Sequence, residues 1–515
     1  KQPVTNPLLA LQGRVPGLFI EQGSGSTMSS VNIMIQGKNS IGQGSEPFYV
    51  IDGVPYTADF NITTLAGSSI TGQSGSAFAF INPADIESVT ILKDADATSI
   101  YGSRAANGAI LITTKKGKVG KTGVDINMQT GWGKITRQTD VLNTEQYLTL
   151  RKEAYINDGQ ALPTSATTPS PSNYDLTIWD QNRNTDWQKE LVGGTAQFQN
   201  IQASISGGSE NTQFLVGYGF NRQTTVYPNH LPDLRGNLHF NLNHSSNNKK
   251  FKFLLSGSYL KAKNQNNNLD LMDAAVKLPP NAPSLYNADG SLNYGPFPDN
   301  PNTYSFDNPL AQTLQKFVGN TNNLIANNMV SYELFPGLQI KTSLGYNVLQ
   351  TEETKYRPSS SYRPDFADLP GSANYLTKSI GTWIVEPQIT YSKDTRYGAL
   401  EALIGTTVQQ STSKLLAQFA SGFTNDNQLD NITAAPVSGT TLDGTTISKY
   451  SALFGRLNYR LMNKYILNFS ARSDGSSRFG DRNKFSAYYA FGGAWLFADE
   501  ELVQKKFPWL STGKL

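Results

Sequence analysis

Residues 91–117, ILKDADATSIYGSRAANGAILITTKKG, gather side chains able to do polar chemistry at close spacing. Lys93 and Asp94 lead into a short acidic stretch, with Asp94 as the expected N-cap and Gly102 as the end of a helix. Tyr101-Gly102-Ser103-Arg104 then reads as a tight turn carrying a cation, and Asn107-Gly108 as a second turn before an apolar strand. No nucleophile stands beside a base here, so the chemistry is that of docking. Arg104 is expected to pair with carboxylates such as Glu386 or Glu401, with a solvated surface arginine as the competing reading. Exposed ion pairs contribute only about 0–1 kcal/mol, so a unit held by them can be moved by force. Asp52-Gly53 in YVIDGVPY reads as a turn, with Asp bonding its own backbone and Gly supplying positive φ.

Enzyme signals elsewhere fail on inspection. The chain has no cysteine, which removes disulfides, thiolate nucleophiles and sulfur-ligated metals. Gly120-Lys121-Thr122 imitates a phosphate loop, but the required first glycine falls on Lys115. Gly131-Trp132-Gly133 lacks the third glycine of a dinucleotide loop, and no G-x-S-x-G elbow occurs. His230, His239 and His244 have no metal-motif spacing; His239 is expected to face a polar lumen between Asn237 and Asn241. No catalytic residue, metal or cofactor is expected. A net charge of +3 over 515 residues is too mild for nucleic acid.

Two kinds of element must position these residues. The first 121 residues hold short apolar runs between Gly/Ser-rich turns, such as VNIMIQG, PFYVIDGVPY and IESVTILK, and read as a small α+β domain. Residues 122–515 hold long two-faced strands. In LRGNLHFNLN, Leu234, Leu238, Phe240 and Leu242 alternate with Arg235, Asn237, His239, Asn241 and Asn243. In LQIKTSLGYNV, Leu338, Ile340, Leu344, Tyr346 and Val348 stand opposite Gln339, Lys341, Ser343 and Asn347. Arg456, Asn458, Arg460, Asn468, Ser470 and Arg472 form the polar side further on. This period of two describes a sheet with one apolar and one wet face.

About twelve such strands are expected, many of ten residues or more, against a mode of five or six in soluble sheets and roughly 9–11 for a membrane span. Tight turns (GGSENT, HSSNNKK, LFPG, SKDTRYG, LMNK) alternate with long insertions at 136–195, 265–321, 353–377 and 414–446. That parity belongs to a transmembrane antiparallel β-barrel. Trp132, Trp383, Tyr465, Tyr488, Tyr489, Trp495 and Phe497 lie near strand ends, where an aromatic girdle would sit. A large soluble all-β protein is the competing reading. No run of eighteen apolar residues marks a transmembrane helix.

LLALQGRVPGLFI, GKNSIGQGSEPFYVIDGVPY and INPADIESVTILKDADATSIYGSRAANGAILITTKKGK resemble the plug domain of SusC/RagA-type TonB-dependent outer-membrane transporters. ARSDGSSRFGDRNKFSAYYAFGGAWLFADE is similar to a barrel segment of the same family, carrying Asp474, Gly475, Ser476, Ser477, Arg478 and Phe479. The resemblance implies a 22-stranded barrel with the plug in its lumen. Only about twelve of those strands are expected in this chain, which reads as part of a longer protein lacking the start of its plug. It implies active import of a nutrient oligomer, glycan or peptide, with a passive porin or secretion-associated barrel as the alternative. The implied partners are a SusD-like surface lipoprotein lid, the TonB-ExbB-ExbD complex, outer-membrane lipid and the cargo, in a dimer of transporter–lid pairs. The implied location is the outer membrane of a Gram-negative, Bacteroidota-type cell. Gln36-Gly37 stands where the family has arginine and glycine, so plug latching by that position is expected to be neutral. In the 265–321 insertion Tyr286, Tyr294, Phe297, Tyr304 and Phe306 are candidates for cargo or lid contact; either a glycan or an extended peptide suits them.

Overall fold

The computed structural model describes residues 4, 6–23, 30–38, 45–56, 76–94, 98–164, 166–267, 270–478, 480 and 484–515. Near the N-terminus, β1 (Leu18–Gln22) and β2 (Val31–Ile35) form an antiparallel pair. A second small sheet has the order β4 (Val54–Tyr56), β3 (Phe48–Ile51), β6 (Ala109–Thr114), β5 (Ile86–Leu92). Its central strands β3 and β6 run parallel, while both outer pairings are antiparallel. Ile51, Tyr49, Ile110 and Ile112 bury the face of this sheet against Phe78 and Phe80, with the Tyr49 and Phe78 rings 4.3 Å apart. This is the mixed unit foreseen, but its helix differs. Ser99–Ala105 is a 3-10 helix kinked at Gly102, whose φ is +64°, and Thr98 N–H donates to the Asp94 carbonyl at 3.0 Å. The reason lies in what the kink presents: it turns backbone groups outward, as described below.

The rest is one antiparallel meander of twelve strands, each paired with its sequence neighbours. They are β7 (Gly120–Gly133), β8 (Ala196–Gly208), β9 (Thr212–Thr224), β10 (Pro232–Ser245), β11 (Phe251–Asn267) and β12 (Lys316–Phe335). They continue as β13 (Leu338–Arg357), β14 (Gly371–Thr395), β15 (Gly398–Phe423), β16 (Val437–Leu461), β17 (Tyr465–Ser476) and β18 (Phe485–Trp495). Among the described residues no helix is long and apolar enough to cross a membrane.

The decisive property is which face is hidden. On β10, Arg235, Asn237, His239 and Asn241 are buried against the small domain, whereas Leu238 is 44 % exposed. The same inversion gives outward Tyr346, Ile404, Leu453, Leu467 and Phe469. A soluble sheet would bury the apolar set; here it faces out, as a wall in lipid requires. The buried polar face meets the small domain, which therefore sits inside the curve of the meander. Aromatic side chains Trp132, Trp383, Tyr489 and Trp495 are among those exposed on the outer face and at strand ends.

Two expected loops are largely strand. The insertions 353–377 and 414–446 shrink to 358–370 and 424–436, because β14 and β15 run for 25 and 26 residues. At ~3.3 Å per residue such strands extend to about 80 Å, well past a hydrocarbon core of about 30 Å. Beyond the bilayer the outer face no longer has to be apolar, so the alternation fades while the backbone ladder continues to satisfy itself. The longest remaining insertions, between β7 and β8 and between β11 and β12, pack together around a second core of Trp187, Leu191, Leu271, Phe306 and Leu310.

Ile404 lies about midway through the apolar band of β15. Ile404→Arg is expected to weaken insertion by about 2–4 kcal/mol, whereas Thr445→Arg, on the exposed upper part of β16, should be neutral. Refolding into lipid vesicles, read by the gel-mobility shift of folded barrels, checks both.

Candidate plug seat on the barrel wall

Gly102 and Asp474 lie 372 positions apart in the chain and meet in space. Arg472 and Asp474 are two residues apart on β17, so both side chains project from the same face into the lumen. Arg472 Nε and Asp474 Oδ1 are 2.5 Å apart, and Asp474 is fully buried. Asp474 Oδ2 accepts from the Ser103 backbone N–H at 2.7 Å and the Ser103 hydroxyl at 3.1 Å. Arg472 donates through Nη1 to the Ile100 carbonyl and through Nη2 to the Tyr450 hydroxyl at 2.9 Å. Ser99 and Ser470 join hydroxyls at 2.8 Å. A buried ion pair is stabilising only when its remaining lone pairs and N–H groups find partners. Here the small domain supplies them, through the carbonyl and amide that the kinked helix turns outward.

Glycine at 102 is required twice. Its φ of +64° disfavours a side chain, and a Cβ there would stand 2.0 Å from Asp474 Oδ2. Arg104 is drawn to the same place, where the charges of Glu386 and Asp474 act on it electrostatically, but among the described residues it makes no direct ion pair with the expected carboxylates. Its Nη1 donates to Gln409 Oε1 at 2.5 Å, and its guanidinium lies 4.1 Å from the Tyr450 ring centroid and 4.8 Å from that of Phe48. Glu386 instead accepts from Thr407 and Gln388 at 2.8 and 2.7 Å, and Glu401 is exposed. Aromatic faces and an amide can receive a partly buried arginine without the cost of burying a second charge.

A second buried pair holds the opposite flank. Arg235 Nη2 and Asp233 Oδ2 on β10 are 2.5 Å apart, and Arg235 Nη1 donates to the Ala79 carbonyl at 2.6 Å. Beside it, Asn82 donates to Asn237 and Gln202 at 3.0 and 3.1 Å, Asn237 donates to Asp85 at 2.8 Å, and His239 Nε2 meets the Lys115 carbonyl at 3.1 Å. His239 thus faces inward as expected, though buried under the small domain. Between the flanks, Asn323 donates to the Phe80 carbonyl at 3.1 Å and Asn327 to the Asp52 carbonyl at 2.5 Å. A cavity of about 410 Å³ separates the small domain from the wall near β7–β10, with Asp85, Lys115, Asp125, Arg235 and His239 among its lining residues.

The other sequence-derived residues fall in several places. Asp52 (φ +48°) and Gly53 (φ +88°) do make a turn, but the carboxylate accepts from the Thr114 N–H and hydroxyl at 2.9 and 2.5 Å rather than from its own turn. The neighbouring strand β6 offers those donors at its end, and so wins them. Lys93 donates to the Pro16 carbonyl at 3.2 Å, Asp94 is exposed, and Asn107 donates to the Glu46 carbonyl at 3.4 Å. Gly108 (φ +88°) lies against Ile35, leaving no room for a Cβ. Gln36 (φ +57°) and Gly37 (φ +94°) form the turn after β2, with the Gln36 side chain exposed.

On the barrel, Gly475 packs under Phe485, Ser476 N–H donates to the Lys484 carbonyl at 3.2 Å, and Ser477 exchanges two 2.9 Å bonds with Lys449. Arg478 N–H donates to Ser476 at 3.2 Å; Phe479 lies outside the described residues. In the insertion, Tyr294 and Tyr304 pack edge to face at 6.2 Å, Phe297 packs on Tyr174 at 5.5 Å, and Phe306 is buried, leaving Tyr286 exposed. Asp233, Gln409, Asn323, Asn327 and Tyr450 were not singled out from sequence. The i, i+2 opposite charges in Asp233-Leu-Arg235 and Arg472-Ser-Asp474 were a usable signal, since that spacing puts both charges on one strand face.

Residues 1–109 match the family model of the TonB-dependent receptor plug domain. SusC of Bacteroides thetaiotaomicron, a TonB-dependent receptor, is 27 % identical over 97 % of this chain and 48 % of its own length. The chain is similar to TonB-dependent receptors of the SusC/RagA type. A TonB-dependent receptor of Formosa agariphila is 29 % identical over 98 % of the chain and 48 % of its length. The structure of the RagAB peptide importer in its open-open state superposes with a TM-score of 0.81 at 22 % identity, covering 98 % of this chain and 56 % of that one. That likeness shows the fold. The chain spans about half the length of the relatives it matches. These relatives are receptors and importers rather than enzymes.

Asp474→Ala is expected to weaken the seat by about 3–5 kcal/mol, because it strands a buried Arg472. Arg472→Met with Asp474→Leu should recover much of that loss, and Gly102→Ala should act like the single change. Protease resistance of the plug segment in the complete protein reads all three. Burial pushes the Asp85 carboxyl up to about 6, against the opposing charges of His239 and Lys115. The seated form therefore holds its proton more tightly; its advantage is full below the ordinary carboxylate value and declines as pH rises from about 4 to about 6. The same protease assay across pH 4–7 should show this loosening, and Asp85→Asn should flatten it.

Proposed function

We propose that this chain is the plug, residues 1–121, and the first part of the barrel, residues 122–515, of an energised importer in the outer membrane of a Bacteroidota-type cell. The observation that supports this best is the meeting of Tyr101–Arg104 with Arg472 and Asp474 inside a wall that is apolar outside and polar inside. The wall alone would be an open pore; the seated unit closes it. The seat is made largely of charged and polar contacts that exchange with water, beside an apolar patch of Leu260, Ala262, Ile325 and Leu349, so a displaced plug can rehydrate most of both surfaces. Force is the natural trigger for such a contact. In this reading the TonB-ExbB-ExbD complex applies it, and a SusD-like lipoprotein closes over the extracellular insertions in a dimer of transporter–lid pairs. The cargo is an oligomer too large for passive pores.

The complete protein in a planar bilayer should carry no steady current, and Asp474→Ala should open it intermittently. Labelled cargo should accumulate only in cells with an energised TonB complex. Steady current from the unaltered protein, or uptake unaffected by loss of TonB, would identify a passive porin instead.

A further inference from the structure

The wall changes height abruptly between β16 and β17. β14, β15 and β16 run for 25, 26 and 25 residues, whereas β17 and β18 run for only 12 and 11. β17 pairs with β16 from Leu461 up to Tyr450 and goes no further. Gly455 of β16 pairs with Ile404, in the middle of the apolar band. A half-core of about 15 Å is crossed in about five or six tilted residues, so Tyr450 and Ser476 lie near the outer boundary of the lipid. Above that level Val437–Lys449 stand in water, laddered to β15 on one side only.

Lys449 N–H donates to the Ser477 hydroxyl, and its carbonyl accepts from the Ser477 N–H, both at 2.9 Å. The backbone groups of Lys449 therefore point away from β15. In an antiparallel ladder that direction alternates, so Ile447, Thr445 and Asp443 point the same way, about 7 Å apart. Among the described residues no other backbone group pairs with theirs, and all three residues are exposed. The register with β15 is regular from Lys449 to Leu442 and shifts only above it. A bare edge of this kind invites strand addition, and proteins that avoid it place lysine, proline or inward charges along it. Ser438–Ser448 holds no lysine, arginine or proline, and Asp443 is its one charge.

Only a polypeptide backbone offers N–H and C=O groups at the matching repeat, so the occupant is an extended strand rather than a glycan or a lipid. Cargo is the poorer fit. The Ser477 bonds close the edge from below, and a strand added above them continues the line of β17 as part of the wall. Half of its side chains lie outside the lumen, and it has no path down to the plug. A resident partner anchored in the same outer leaflet meets the edge directly, because β17 and β18 leave the rim low on that side. We propose that the upper edge of β16 is the clasp for an extended segment of the partner lipoprotein. That segment pairs with Asp443, Thr445 and Ile447 as an added strand while the rest of the lipoprotein closes over the mouth. This rests on the importer reading above and gives its lid a fixed attachment.

The test uses the complete transporter with its lipoprotein. A thiol-reactive benzophenone on Thr445→Cys should link the transporter to the lipoprotein, within one extended stretch of it; these 515 residues carry no other cysteine. Hydrogen exchange of the amides in 442–449 should slow about tenfold or more when the lipoprotein is bound. Thr445→Pro removes one edge-facing N–H without touching the ladder to β15, and should weaken lipoprotein binding about tenfold. Thr445→Val keeps the N–H and should bind normally. An unaltered plug protease pattern verifies that both variants fold. Links to a second copy, to cargo or to a later segment of the transporter's own chain overturn the assignment. So do unchanged exchange and undiminished binding by Thr445→Pro. If the lipoprotein then still binds and uptake still needs TonB, the importer stands; no TonB-dependent uptake by the unaltered pair would remove the importer reading itself.

Discussion

The constraint on which this structure depends is that a backbone inside lipid must satisfy its own hydrogen bonds. Extended strands can do so only as a continuous ladder, and the outer surface of that ladder must be apolar. The meander from β7 to β18 obeys both demands. Because side chains alternate, an apolar exterior leaves the inner face free to be polar, and on β10 that face is Arg235, Asn237, His239 and Asn241. The lumen is polar because the outside cannot be.

A folded unit filling such a lumen meets a surface that already has hydration to lose. Its contacts have to replace water group by group, which is why the plug presents carbonyls and amides rather than a greasy face. The kinked 3-10 helix at Ser99–Ala105 shows the logic at its clearest. A regular α-helix would use the Ile100 carbonyl and Ser103 amide internally; the kink at Gly102 releases them to Arg472 and Asp474. One apolar patch breaks the rule. Leu260, Ala262, Ile325 and Leu349 face inward and join the plug core, so the seat is partly hydrophobic on the β11–β13 side.

Uneven contact around the plug gives the wall a sense of direction. Buried ion pairs pin it at β10 and β17, while the 410 Å³ cavity near β7–β10 leaves part of that side loosely filled. Above the plug the character changes again. The upper strands leave the bilayer and are free to carry lysine and arginine, and the insertions fold into a second core.

Much of this was legible in the residues. The period of two, the parity of turn and loop lengths and the strand lengths determined a membrane wall of about twelve strands, because those patterns reflect local backbone geometry and the bilayer's thickness. The small mixed domain was equally readable from its turns. Which face turned inward was implied by the same alternation. What only the tertiary structure decided was who meets whom. Tyr101–Arg104 and Asp474 were each conspicuous in sequence, yet nothing local says that residues 371 apart share hydrogen bonds, and Arg104's choice of Gln409, Tyr450 and Phe48 over Glu386 depends on their position in space. The upper ends of β13 to β16 escaped notice for a related reason: beyond the lipid, a strand needs a paired backbone and no particular side-chain pattern. Sequence alone records what each strand face must be; the curvature of the wall determines which faces touch.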